Sequence, residues 1–221
     1  MDIRKIINLH KIPTSFFVLG DLAFALKNKL REIKRQGHDI GSHGWKHNRP
    51  LNMDMETFNQ EVTKCKDELE QLLGESVLGY RAPCFSLDRE RLEVLINAGY
   101  KYDSSRILFG DHPLYGEIDM SGFNVSSRGI YQKDSFYEFQ ISTLAFWGKQ
   151  IPVSGGGYLR IFPWFLMHYL LEKYLQSENL YVLYIHPFEF SSRANPNFPG
   201  EISTASKFRF GLGRSSVGEK F

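Results

Sequence analysis

Cysteine is scarce, with Cys65 and Cys84 the only two in 221 residues. Neither belongs to a Cys-x-x-Cys pair; Cys65 falls in a helical stretch and Cys84 follows Pro83 in a loop. That argues against a disulfide scaffold or a cysteine-built zinc site and leaves two reduced thiols. An excess of charge of one sign is also lacking. Lys+Arg 27 against Asp+Glu 25 gives a net charge of +2, too small for a protein that reads nucleic acid through its phosphates. No window reaches the roughly 18 apolar residues of a membrane span, so no transmembrane segment is expected. No secretory signal opens the chain, from which a cytoplasmic location is expected. Repeats, low-complexity tracts and linkers are missing too, so a single domain over 1–221 is expected. With 42% hydrophobic and 24% charged residues, the composition is that of an ordinary globular protein, not a disordered chain or a coiled coil.

What is present is an alternation of helical and extended patterns. Ile3, Ile6, Ile7 and His10 stand at helical spacing over 2–11, and Pro13 ends the run. The stretch 14–19 (TSFFVL) reads as a buried strand closed by Gly20. A helix over 22–36 ends at Gly37, and 38–42 (HDIGS) is extended. A long helix begins after Asp54, whose side chain caps it, with Met53 and Phe58 as a hydrophobic staple, and stops at Gly74. Strands are expected at 77–81 and 100–103 around a helix at 88–97, then at 122–126, 136–141 and 151–154. A helix after Pro163 runs to Leu175, with Trp164 assigned to the core. The run 181–185 (YVLYI) reads as another buried strand. Strands alternating with helices imply a parallel α/β sheet or barrel, with the ligand site at the carboxyl ends of the strands.

Four such ends carry chemistry. After HDIGS come His43 and His47, four apart, a spacing that lets two imidazoles reach one cation or leaves two surface histidines flanking Trp45. After Tyr80 comes Arg81-Ala82-Pro83-Cys84-Phe85, where a strand-end arginine before a proline turn either grips a carboxylate or lies on the surface. Asp103 closes YKYD, as a site residue or a turn cap through Ser104 and Ser105. His186 leaves YVLYI, placed for acid–base work or bonded to backbone. The three glycines of SGGGY (154–158) allow close backbone approach.

This order of motifs, from about Ile3 to His186, resembles the polysaccharide deacetylases, the NodB-homology domains of carbohydrate esterase family 4. TSFFVLG is similar to the family's second strand and SHGWKH to its histidine motif. RAPCF resembles the arginine–proline–aromatic motif, YKYDSS the fourth motif, and YIHPFEF the closing motif. The wording is closest to a branch associated with surface and exported polysaccharides. The resemblance implies an α/β fold of the distorted, incomplete (β/α) barrel type and hydrolysis of an N-acetyl group on a glycan substrate, dependent on a divalent metal, most often zinc. It implies His43 and His47 as metal ligands and His186 as the acid that protonates the leaving amine. Arg81 would orient the base, Asp103 would orient His186, and the N–H of Cys84 would face the oxyanion. Phe85 and Trp45 would line the substrate pocket.

One part of the family pattern is missing. Its first strand, ending in paired acidic residues, supplies the base and the third ligand, and Met1 falls where the following helix begins. The expectation is therefore a barrel lacking its first strand, a chain truncated there and, from FRFGLGRSSVGEKF, at its far end, and little or no catalysis as written. Two other readings stay open: a degenerate glycan-binding domain using aromatics such as Trp45, Trp147 and Trp164, or a related hydrolase of cyclic amides or ureides.

Overall fold

A computed structural model of the chain describes residues 7, 11–110, 112–146, 148–190 and 211–214. Most of the helix expected over 2–11, together with Trp147 and most of the closing FRFGLGRSSVGEKF segment, lies outside the described residues. The chain divides into two compact units, one of Pro13–Ile141 and one built from Ser142 onward with the residues up to Ile12.

The first unit is a seven-stranded mixed sheet. Four short strands, β1 (Ser15–Val18), β2 (Asp39–Ser42), β3 (Gly79–Tyr80) and β4 (Tyr102–Asp103), run parallel in that order. After β4 the chain makes a meander of β5 (Asn124–Ser127), β6 (Ile130–Lys133) and β7 (Phe136–Phe139). The meander returns β7 parallel to β4, placing Asp103 opposite Glu138. Among the described residues the sheet ends at β1 on one side and β5 on the other and does not close into a barrel, as the incomplete-barrel reading expects.

Residue alternation gives the two sheet faces different jobs. Val18, Ile40, Tyr80 and Phe136 join one core with Phe58, Val62, Cys65, Leu69 and Leu72 of α3 (Met55–Leu73) and Leu92 and Leu95 of α4 (Arg89–Asn97). On the other face glycines make room for rings. A Cβ on Gly79 would stand 2.1 Å from the Tyr102 ring, and one on Gly41 would stand 2.7 Å from Phe17. Phe17, Tyr102 and Phe139 follow each other edge to face across the sheet, 6.3 and 5.8 Å apart.

The α3 boundaries follow the sequence signals. Asp54 accepts from Thr57 N–H at 2.8 Å, and Gly74 takes the left-handed conformation, φ 76°, that ends the helix. The helix expected over 22–36 is instead two, α1 (Gly20–Ala23) and α2 (Lys27–Arg35). Gly20 and Asp21 N–H groups donate to the Gly44 and Trp45 carbonyls, a tie to the loop after β2 that sequence periodicity does not register.

The second unit holds a hairpin, β8 (Thr143–Phe146) and β9 (Lys149–Pro152), then α5 (Gly156–Ile161) and α6 (Trp164–Leu175). Leu144, Val153, Leu170 and Tyr174 form its core with Phe162, Leu166, Leu171 and Tyr181. Trp164, expected in the core, is 43% exposed, because Met167, Leu170 and Tyr174 supply the buried face of α6. The run 181–185 is half-buried and is not a strand. Its backbone is satisfied piecemeal: Val182 N–H donates to Ser142 Oγ, Tyr184 N–H to the Ser154 carbonyl, and Gly156 N–H to the Tyr184 carbonyl. That leaves a single bridge, Gly155 to Tyr184, where a ladder was expected. The SGGGY glycines do permit close approach: a Cβ on Gly155 would meet Tyr184 at 2.6 Å and one on Gly156 would meet Glu189 at 1.9 Å.

Candidate active site

In the first unit the carboxyl ends of β2, β3 and β4 gather His43, His47, Arg81, Cys84 and Asp103. His43 leaves β2 with its N–H donating to the Val18 carbonyl, and its Nδ1 lies 2.7 Å from the Arg81 carbonyl oxygen. A carbonyl only accepts, so Nδ1 carries a proton, and in the neutral imidazole Nε2 is then the nitrogen with the lone pair. The chain then turns through Gly44, φ 78°, and reaches His47 at φ 60°, a left-handed conformation uncommon outside glycine. The two imidazoles end 5.0 Å apart, edge to face, carried by a compact loop and not a helical turn.

This donor chemistry fits two positions of a divalent-cation site. Both ligands are imidazoles, and one has its outer nitrogen fixed by a backbone carbonyl, as metal-bound histidines commonly do. Among the described residues, no group of three His, Cys, Asp or Glu side chains stands close enough to hold a cation.

Arg81 is engaged by the next strand end. Its Nε donates to the Ser104 carbonyl at 2.9 Å and its Nη2 to Ser104 Oγ at 2.7 Å, while the guanidinium stacks 4.4 Å from the Phe17 ring. Ala82 N–H donates to Ser105 Oγ at 2.8 Å. Cys84 and Phe85 then take φ 55° and 52° in succession. Two adjacent non-glycine residues in this region cost on the order of 1–3 kcal/mol each and persist only where the surroundings dictate them. The Phe85 side chain is 8% exposed and packs edge to face on Tyr115 at 5.6 Å. Trp45 is half-buried, wedged between Gly20 and Lys64, whose Nζ lies 3.8 Å from the ring centroid. Both cysteines are free, and burial pushes the Cys65 thiol up to about 11.

Asp103 is fully buried. Its Oδ1 accepts from Ser105 Oγ at 2.7 Å and its Oδ2 from Ser105 N–H at 3.0 Å. Across the strand pair stands Glu138, also fully buried, with Oε1 accepting from the N–H groups of Ser105 and Arg106 at 3.1 and 2.8 Å. Glu138 Oε2 is buried with no hydrogen-bond partner when the group is ionised. Two carboxylates facing each other out of water repel strongly. Burial pushes Asp103 up to about 6, and burial together with the Asp103 charge raises Glu138 well above the usual carboxylate range. Both shifts favour a protonated carboxyl, and a proton on Glu138 would let the unpartnered Oε2 donate toward Asp103. Through Ser105, whose Oγ accepts from Ala82 N–H, this carboxyl pair braces the turn on which His43 rests. Glu138 goes unnoticed in the sequence because its partner is set by strand order, β7 beside β4.

His186 belongs to the second unit. Its side chain is 57% exposed, and its backbone N–H donates to Glu189 Oε2 at 2.9 Å. Glu189 is buried, paired with buried Arg160 at 3.2 Å. The spacing of His186 and Glu189, a cap acceptor three residues on, is a sequence signal of a capped turn that was available to find it.

Residues 1–102 match the family described as polysaccharide deacetylase, and residues 104–221 match a domain of unknown function, DUF3473. The chain is 27% identical over 114 residues to a peptidoglycan deacetylase of Helicobacter pylori, covering 52% of this chain and 39% of that one. It is 27% identical over 74 residues to a peptidoglycan-N-acetylglucosamine deacetylase of Bacillus cereus, covering 34% and 27%. It thus spans well under half the length of these curated relatives. A Mycobacterium smegmatis structure assigned to the polysaccharide deacetylases superposes with a TM-score of 0.60 at 23% identity, over 83% of this chain and 61% of that one. A Bacillus anthracis protein described as a pseudoenzyme of carbohydrate esterase family 4 does so with a TM-score of 0.51 at 10% identity, over 99% and 55%; both likenesses concern the fold. The first part of the chain, residues 1–102, thus matches the polysaccharide deacetylases, and over residues 104–221, just more than half of its length, the chain belongs to the family DUF3473.

Proposed function

We propose that this protein is a metal-dependent N-deacetylase acting on an N-acetyl sugar of a surface or exported polysaccharide. The observation that carries the reading is the pairing of the His43 and His47 rings 5.0 Å apart on one compact loop, with His43 Nδ1 seated 2.7 Å from the Arg81 carbonyl. His43 and His47 would hold a divalent cation, zinc by preference for imidazole donors. When bound, such a cation supplies Lewis-acid polarisation of an amide carbonyl and a water of lowered pKa.

The chain's own residues have narrower tasks. The Cys84 N–H, carried by the left-handed turn after Pro83, donates to the oxygen that becomes negative as the amide carbon turns tetrahedral. Arg81 ties that turn to Ser104, and Asp103 with Glu138 fixes Ser105, which accepts from Ala82 N–H of the same turn. His186, protonated, gives its proton to the leaving amine nitrogen as the C–N bond breaks.

The test is metal content and acetate release from an N-acetylglucosamine oligomer for the wild type and three variants. His43→Ala and His47→Ala should each lose the metal, whereas His186→Ala should keep it and lose acetate release. Full metal occupancy in either ligand variant would refute the assignment of the histidine pair. Glycan binding without acetate release would favour a degenerate binding domain, and turnover of a ureide but not the oligomer would favour a cyclic-amide hydrolase.

A further inference from the structure

We infer that Glu189, fixed by Arg160, is the positioning residue of His186, holding its ring with Nδ1 inward and Nε2 presented; this rests on the reading of His186 as the leaving-group acid. Pro187–Phe190 form a single 3₁₀ turn, and Glu189 N–H closes it on the His186 carbonyl at 2.9 Å. From inside that turn Glu189 Oε2 accepts the His186 N–H and lies 3.7 Å from His186 Nδ1. A small rotation of the exposed ring converts this proximity into a hydrogen bond from Nδ1–H.

The arrangement is costly unless it orients something. The Glu189 side chain is 3% exposed and that of Arg160 is 5%, and a buried ion pair is weak as a stabilising device compared with apolar packing. Arg160 is itself anchored, its Nη1 donating to the Leu212 carbonyl at 2.8 Å. The carboxylate's seat exists only because residue 156 is glycine, since a Cβ there would stand 1.9 Å from Oε2. The chemistry requires a carboxylate. Oε1 faces the Arg160 Nε–H and Oε2 faces the His186 N–H, so both positions must accept, whereas glutamine offers one acceptor and turns an NH2 toward a donor. Arg160, His186 and Glu189 all fall in the DUF3473 segment, so the inference gives that segment a task.

The experiment reads the ring directly. Two-bond proton–nitrogen NMR of the whole protein reports which ring nitrogen of a neutral histidine carries the proton. His168, whose Nδ1 lies 3.6 Å from Glu172 with both side chains exposed, is the internal reference. In the wild type His186 should favour the Nδ1–H tautomer. Glu189→Gln and Gly156→Ala, one removing the charge and the other displacing it sterically, should both shift His186 toward Nε2–H and leave His168 unchanged. Acetate release should fall about tenfold or more in kcat with little change in KM, the size expected for removing a group that orients a catalytic histidine. An unchanged His186 tautomer in both folded variants would overturn the inference. If His186→Ala keeps full acetate release while the tautomer shifts occur, it is the reading of His186 as acid that fails, and the positioning contact stands.

Discussion

Glu138→Gln tests whether a proton resides between the two buried carboxyls at the end of β4. In the folded protein Asp103 is raised from 3.8 to about 6, with burial as the largest cause, and Glu138 is raised further. The unfolded chain releases these protons near pH 4, the folded chain only at higher pH. Stability associated with the pair is therefore fully present at low pH and is lost as pH rises through the folded-state values. For Asp103 alone, a rise of roughly two pH units at about 1.4 kcal/mol each gives on the order of 3 kcal/mol lost between pH 4 and pH 7, and the rise of Glu138 adds a loss of the same sign. Glutamine is neutral at every pH. Its carbonyl can accept from Ser105 and Arg106, as Glu138 Oε1 does, and its NH2 can donate to Asp103 where the shared proton did. The variant keeps the Asp103 loss and removes only that of Glu138, so it should match the wild type within about 1 kcal/mol near pH 4 and exceed it by a margin that grows toward pH 8. In thermal unfolding each 1 kcal/mol of that margin raises the midpoint by about 2–4 °C. Melting both proteins from pH 4 to pH 8 checks it, since titrations of the other groups are common to the two and cancel in the difference. Parallel curves, or a variant less stable by a constant amount, would refute the shared proton.

Two further outcomes follow from backbone geometry. Gly79→Ala places a Cβ 2.1 Å from the Tyr102 ring and should destabilise the fold by about 1–3 kcal/mol. Urea denaturation reads this, and recovery in the double variant with Tyr102→Ala would identify the clash as the cause. Cys84→Gly should leave stability unchanged or raise it by up to about 1 kcal/mol, because glycine relieves the φ 55° conformation while keeping the backbone N–H; a loss above 1 kcal/mol would mean that the thiol's packing outweighs the strain.

The amino-acid order by itself determined the parallel half of the first unit, because its signals are local. The Asp54 cap and Gly74 stop of α3, the apolar run of β1 and the polar residues after β2, β3 and β4 depend on neighbours a few residues away. Local signals also misled where the partner was distant. The run 181–185 has strand propensity, yet Ser142, Ser154 and Gly156 take its hydrogen bonds singly, so no ladder forms. Trp164 is apolar but lies off the α6 stripe that meets the core. The tertiary structure pairs β7 with β4, and this turns two ordinary acids, Asp103 and Glu138, into a buried facing pair. It likewise brought Arg160 and Glu189, 29 residues apart, into a buried ion pair behind His186. Burial and charge pairing belong to residues distant in the chain, so no spacing in the sequence encodes them.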